Sequence, residues 1–266
     1  ALTPRVQAIE QEVGTQLFQR DQLNVSLTSA GEKFRRFARG ELERWEEMLS
    51  ELRAESSSPT GELHIACTVT ACLTVLPRIL SLCRERHPGL TLRLVTQDGA
   101  RSLTQLEAGE VDIAVVPTEG PPPAHLVSHV LASTNFAFIA PADSASFERL
   151  ALSEKLDGAD FVAPLGGLER RRLEEWFERN GVVPRIVAEV RGNEGILAMV
   201  SMGSGVGLVP ELVLENSPLP VRVLAHVEPP RGYDVSLCAR KKSLGREAVR
   251  AFFRVAEEEA AARTHR

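Results

Sequence analysis

The feature that most constrains this chain is a pattern that occurs twice. Over 63–116, apolar runs and amphipathic stretches alternate as strand (63–67), helix (73–87), strand (90–96), helix (101–108) and strand (111–116). Pro88 ends the first helix and Gly109 the second, as residues that cannot continue or that readily leave a helix. Over 161–209 the alternation returns as strand (161–163), helix (169–180), strand (185–190), helix (194–202) and strand (206–209). The two sets of strand centres are offset by about ninety-five residues. A β-α-β-α-β unit folds by right-handed crossovers onto a parallel sheet. The chain is therefore expected to be α/β with two similar lobes. The repetition is one of pattern, not of residues.

Strands over 128–132 and 136–140 lie between the units, placed to cross from one lobe to the other. A strand over 235–240 and a helix over 248–262, with Val249, Phe252, Phe253 and Ala256 on one face, are expected to return to the first lobe. With 43% hydrophobic and 25% charged residues in 266, a real core can be buried. Collagen-like, mucin-like and wholly disordered chains are excluded. No apolar run approaches the roughly eighteen residues of a membrane helix. As given, the chain opens Ala1-Leu2-Thr3-Pro4 without a basic, apolar leader, so no secretory signal is expected. Cys67, Cys72, Cys83 and Cys238 are too few for a disulfide scaffold, and a reducing cytoplasm is the expected compartment.

The first sixty residues read differently. A helix over 2–13 carries Pro4 in its first turn, repeats Leu2, Val6, Ile9 and Val13 at helical spacing, and stops at Gly14. Short strands over 17–20 and 24–27 flank a turn at 21–23, a small wing. Ser29 with Glu32 fits a capping box opening a long helix that runs to about Glu55. Leu42, Trp45, Leu49 and Leu52 recur with 3-4-3 spacing. That seam suits packing within one domain or against a partner helix; its length and the Ser/Pro/Gly-rich linker over 56–61 favour a projecting dimerisation helix. The net charge is −5, yet residues 1–40 hold six basic and four acidic side chains while 41–57 hold two and six. The head is mildly basic, which whole-chain charge hides.

In open α/β sheets, ligands bind beyond the carboxyl ends of the strands. Here those ends are Thr68-Val69-Thr70, Gln97-Asp98, Pro117-Thr118, Leu165-Gly166-Gly167 and Gly192-Asn193. Two facing lobes would gather them around one cleft. Helices starting after Thr70 and Gly167 would point free N–H groups into it, a setting suited to a small carboxylate. Thr68 and Thr70 would orient that group and Arg170 would add charge; equally, the threonines cap a helix and Arg170–Arg172 form a solvated face. There is no HExxH, CxxC, P-loop or GxSxG sequence. Cys67 and Cys72 lack paired histidines, so no metal is expected, and both read chiefly as small buried apolar residues with a redox role as the lesser alternative. Gly203-Ser204-Gly205-Val206-Gly207 follows a helix and precedes a strand, the reverse of a dinucleotide loop, and reads as a tight turn. The scattered histidines form no nucleophile–base pair; Cys67 and Asp98 are the only cleft candidates for catalysis, and neither has an evident partner. No catalytic residue and no cofactor are expected.

Together these residues resemble the LysR-type transcriptional regulators. The stretch Ala1-Leu2-Thr3-Pro4-Arg5-Val6-Gln7-Ala8-Ile9-Glu10-Gln11-Glu12-Val13-Gly14-Thr15-Gln16-Leu17-Phe18 is similar to that family's recognition helix and wing. Leu27-Thr28-Ser29-Ala30-Gly31-Glu32 is similar to the entry of its long helix. The resemblance implies a winged helix-turn-helix, here partial because the sequence opens within the motif, a linker helix, and a two-lobe effector domain like the periplasmic binding proteins. It places the DNA-binding part at 1–28, the linker helix at 29–57, lobe I at 58–131 completed by 234–266, and lobe II at 132–233. Thr3, Pro4, Arg5 and Gln7 would face the major groove, with Arg20 near a phosphate. Effector residues would be Thr68, Val69, Thr70, Gln97, Asp98, Gly166, Gly167, Arg170 and Asn193. The segments over 170–180 and 205–218 are most similar to the family's branched-chain amino acid pathway activators. That implies acetolactate or acetohydroxybutyrate as inducer, an operator DNA, RNA polymerase and a homodimer or homotetramer as partners. A regulator sensing another small organic acid and a two-lobe solute receptor are the alternatives.

Overall fold

The computed structural model describes residues 4–20, 25–53, 59–142, 156, 158–215 and 217–264. The chain divides into two compact units, residues 1–57 with 245–247, and residues 58–244 with 248–266.

In the first unit, helix α1 (Pro4–Val13) leads to strands β1 (Phe18–Arg20) and β2 (Val25–Leu27), which pair antiparallel with Phe18 opposite Leu27. The turn expected at 21–23, like Leu2, Thr3 and Asn24, lies outside the described residues. Glu10 ties helix to wing: its Oε1 accepts from the backbone N–H groups of Leu17 (2.7 Å) and Phe18 (3.0 Å). Helix α2 (Ser29–Arg53) is capped by Thr28, not by Ser29. The Thr28 hydroxyl accepts from Gly31 N–H at 2.9 Å, and Glu32 pairs with Arg35 at 2.8 Å instead of closing a box. The cap sits one residue earlier because Thr28 is held by Gln16 and Leu17, its hydroxyl donating to the Gln16 carbonyl and its N–H to that of Leu17.

The second unit holds two five-stranded sheets. The first contains β3 (Gly61–Cys67), β4 (Leu90–Thr96), β5 (Ile113–Thr118), β6 (Leu126–Thr134) and β12 (Tyr233–Arg240), in the order β4-β3-β5-β12-β6. The second contains β7 (Phe136–Pro141), β8 (Asp160–Pro164), β9 (Arg185–Val190), β10 (Val206–Pro210) and β11 (Val221–Val223), in the order β11-β7-β10-β8-β9. Each contains the expected parallel triplet, β4-β3-β5 and β10-β8-β9. Neither sheet is purely parallel, however. Strand β12 enters the first antiparallel to β5 and β6, and β7 enters the second antiparallel to β10 and β11. The chain thus crosses between sheets at Asn135 and returns with β12.

Helix α5 (Gly99–Glu107) packs against β5, and α7 (Asn193–Ser201) packs against β7, β8 and β10. The helix expected over 73–87 is two: α3 (Val69–Thr74) and α4 (Leu76–Arg86), parted at Val75 with Pro77 in the first turn of α4. A proline lacks the N–H that would continue α3 into α4, but is tolerated at a helix start. Helices α6 (Gly167–Asn180), α8 (Glu211–Leu214) and α9 (Glu247–Thr264) complete the set. The α9 ion pairs Arg78–Glu259 and Arg86–Glu258 fasten it to α4 beside the first sheet. A core of Leu63, Ile65, Phe138, Phe161, Trp176 and Phe252 runs through both lobes. Among the described residues, no helix is long and apolar enough to cross a membrane.

Candidate functional site

The strand ends anticipated as a ligand site are brought together in part. Thr70, buried in α3, donates its hydroxyl to Glu194 Oε1 at 2.8 Å and accepts from Asn193 Nδ2 at 3.2 Å. Both partners stand at the start of α7, so this contact joins the two sheets. Gly192, just ahead, has φ +86, a left-handed conformation that glycine adopts without strain. Glu169, in the first turn of α6, lies within hydrogen-bonding reach of Asn193 and of the Tyr233 hydroxyl. Tyr233, at the start of β12, is itself buried. Tyr233, Glu169, Asn193, Thr70 and Glu194 therefore form one continuous polar chain between the lobes.

The electrostatics follow from that crowding. Burial raises the Glu169 carboxyl above the ordinary carboxylate range, with Glu194 adding to the rise, while hydrogen bonds from the backbone, Asn193 and Tyr233 oppose it. Burial first, then the two glutamates, hold Tyr233 protonated well above the usual phenol range. The polar chain carries two carboxyl groups, Glu169 and Glu194, and two hydroxyls, Thr70 and Tyr233.

The remaining expected residues take other work. Thr68 caps α3, its hydroxyl accepting from Ala71 N–H at 3.1 Å, and Val69 is exposed at the first turn. Asp98 caps α5 through Arg101 N–H (2.9 Å) and meets Arg191 of the other lobe at 3.2 Å. Gln97 donates to the Gln105 side chain at 2.6 Å. Gly166 and Gly167 lead into α6, with Gly167 left-handed at φ +86 beside Glu169. Arg170 is drawn to Glu174 (2.6 Å), Glu189 (2.5 Å) and the Pro164 carbonyl (3.2 Å), so its charge is not offered to the polar chain. Its neighbours Arg171 and Arg172 reach across to Glu119 at the end of β5, a second inter-lobe pairing. Cys67 is no ready nucleophile: burial, then Cys72, push its thiol up to about 12.

Sequence reasoning misses Glu169, Glu194 and Tyr233. A signal exists for Glu169. It stands four and seven residues before Leu173 and Trp176, both buried, and thus on the inward face of α6. Arg170 stands three and seven residues before Leu173 and Phe177, so spacing alone does not separate it from Glu169.

In the other unit, Pro4, Arg5 and Gln7 lie on α1 and are exposed. Thr3 and the Arg20 side chain lie outside the described residues. On α2 the seam residues Leu42 (62% exposed) and Trp45 (57%) are bare, as are Phe37 and Met48.

Residues 56–261 match the LysR substrate binding domain. The chain is 36% identical over 261 residues to the HTH-type transcriptional regulator IlvY of Escherichia coli, covering 96% of this chain and 88% of that protein. The chain belongs to the LysR family of transcriptional regulators. It is also 33% identical over 261 residues to the HTH-type transcriptional activator IlvY of Haemophilus influenzae, covering 96% and 89%. Among solved LysR-type folds, a full-length OxyR variant from Pseudomonas aeruginosa superposes with a TM-score of 0.70 at 19% identity, covering 94% of this chain and 83% of that one. The Synechocystis PCC6803 CcmR regulatory domain in complex with 2-PG gives 0.65 at 19%, covering 75% and 97%. At such identities the likeness is one of fold.

Proposed function

We propose that this LysR-family protein is a cytoplasmic activator of a branched-chain amino acid biosynthetic gene. Acetolactate or acetohydroxybutyrate is its inducer, bound between the two sheets of the second unit. The observation that carries this reading is the identity with the IlvY regulators along 96% of the chain. The polar chain from Tyr233 to Glu194 supports the cleft as the place where a small ligand is read, because in it two expected strand-end residues, Thr70 and Asn193, meet across the lobes. Helix α1 and the wing face the operator, with Thr3, Pro4, Arg5, Gln7 and Arg20 nearest it. The α2 seam makes the homodimer, from which a tetramer is built, and the DNA-bound protein contacts RNA polymerase. Inducer acts by binding one arrangement of the lobes more tightly than another, since equal affinity would shift nothing.

Calorimetric titration with acetolactate, beside pyruvate and 2-ketoisovalerate, tests the assignment. Saturable binding of acetolactate alone is expected. Equal binding of all three acids would replace it with a general organic-acid sensor. Absence of binding by folded protein would remove the pathway while leaving the family.

A further inference from the structure

We propose that Glu194 recognises the effector's hydroxyl group, and so separates hydroxy acids from keto acids that lack one. This deepens the reading of the cleft above and rests on it. The two glutamates accept from different donors. Glu194 takes the hydroxyl of Thr70 at 2.8 Å, from helix α3, which follows β3 of the other sheet. Glu169 is served by the hydroxyl of Tyr233 and by the amide of Asn193. Glu194 is thus satisfied by a protein hydroxyl arriving from the first lobe, and Glu169 lies beside another.

A ligand that enters between the lobes takes the place of those hydroxyls. Carboxylate and ketone oxygens only accept hydrogen bonds, so neither can replace a lost donor. A hydroxyl can, like for like. Removing a donor from a partly buried acceptor and returning nothing leaves the acceptor desolvated and unpaired. Sites built around a hydroxyl reject the analogue lacking it far more strongly than apolar pockets reject a missing methylene. Charge fixes the ligand's orientation. Its carboxylate, borne by the same carbon as the hydroxyl, is repelled by Glu194 and turns away from it while the hydroxyl donates. Glu194 is the better placed of the pair. Tyr233 and Asn193 both serve Glu169, whereas Glu194 depends on the hydroxyl that the ligand displaces.

The test compares acetolactate with freshly prepared 2-methylacetoacetate, the same acid without the hydroxyl, by calorimetry on the full chain. Wild-type protein is expected to bind acetolactate at least about tenfold more tightly. In Glu194→Ala that ratio is expected to fall to near one through loss of acetolactate affinity alone. In Glu194→Gln, which keeps an acceptor oxygen, part of the preference is expected to return, and this variant stands in should alanine disturb the fold. A ratio near one in wild type, or an unchanged ratio in both variants, overturns the role of Glu194 but leaves the cleft assignment intact. Failure of wild type to bind either acid overturns the cleft reading and this inference with it. Valine is the third ligand: it carries an ammonium donor, and tighter binding than acetolactate would overturn the choice of hydroxyl.

Discussion

The Thr70 hydroxyl donates to Glu194 Oε1 at 2.8 Å, joining residues 124 positions apart and one lobe to the other. It also accepts from the buried Asn193 amide at 3.2 Å. One small side chain from the first lobe therefore satisfies two neighbouring groups at the start of α7 in the other. Thr70→Val keeps the shape and removes both bonds, leaving the Asn193 amide and the Glu194 carboxyl short of a partner. The expected cost is about 1–3 kcal/mol, read as a lower urea midpoint at unchanged slope. An unchanged midpoint would show that water substitutes for the hydroxyl at no cost.

Glu169 makes stability depend on pH in a definite direction. Its folded carboxyl titrates above the ordinary range because burial, then Glu194, disfavours the charge. The folded state therefore holds its proton more tightly than the unfolded chain. Stability falls as pH rises from the ordinary carboxylate range through the raised folded value, and the loss is complete above it. Glu169→Gln removes the titrating group while its amide can donate to Glu194. The variant is expected to unfold at higher temperature than wild type near neutral pH, with the difference vanishing in acid below the ordinary carboxylate range. A gap independent of pH would show that Glu169 acts through packing alone.

Much of the fold is legible in sequence because it depends on local period. Strands β4 and β9 fall on the expected residues 90–96 and 185–190, where β-branched and apolar runs sit between clear breaks. What local period cannot show is pairing between distant segments. The pattern locates strand β12, but its insertion between β5 and β6, which sets Tyr233 opposite Thr134, comes from tertiary contacts. The site is less legible for the same reason. Thr70 and Asn193 are expected and do meet, whereas Arg170, expected for its charge, turns to Glu174 and Glu189. An acid in a first turn reads as a partner for the helix dipole. Spacing puts Glu169 on the face of Leu173 and Trp176, but it puts Arg170 on the face of Leu173 and Phe177 as well, and only the folded structure tells the two apart. Helix α8 and strand β11, four and three residues long, are too short to leave a period.

The glycine cluster before β10 is a turn, as its order between helix and strand indicates. Gly203 has φ +89, and Gly205, at φ +152, lies against the carbonyl of Asp160. A Cβ at Gly205 would stand 2.4 Å from that carbonyl oxygen, which belongs to the backbone of β8 and cannot swing aside. Gly205→Ala must displace β10 from β8 or distort the turn, and these strands carry the parallel centre of the second sheet. A loss of about 2 kcal/mol or more is expected, beyond what entropy gained from alanine returns. Denaturant unfolding of the variant measures it, and a stability equal to wild type would refute the close approach.

The α2 seam makes a prediction about assembly that is independent of the cleft. Leu42, Trp45 and Met48 are exposed along a 25-residue helix, an apolar stripe that a partner helix would cover. Trp45 offers the largest single surface, and aromatic residues at interface centres carry much of the association energy. A carboxylate in its place would have to be desolvated in the paired helices, which is costly. Trp45→Glu is therefore expected to shift the protein toward monomer in sedimentation velocity, by at least tenfold in dissociation constant, which corresponds to about 1.4 kcal/mol. Acetolactate titration of the same variant should match wild type, because the substitution lies in the other unit. A variant that sediments like wild type would place the dimer contact elsewhere than on this helix.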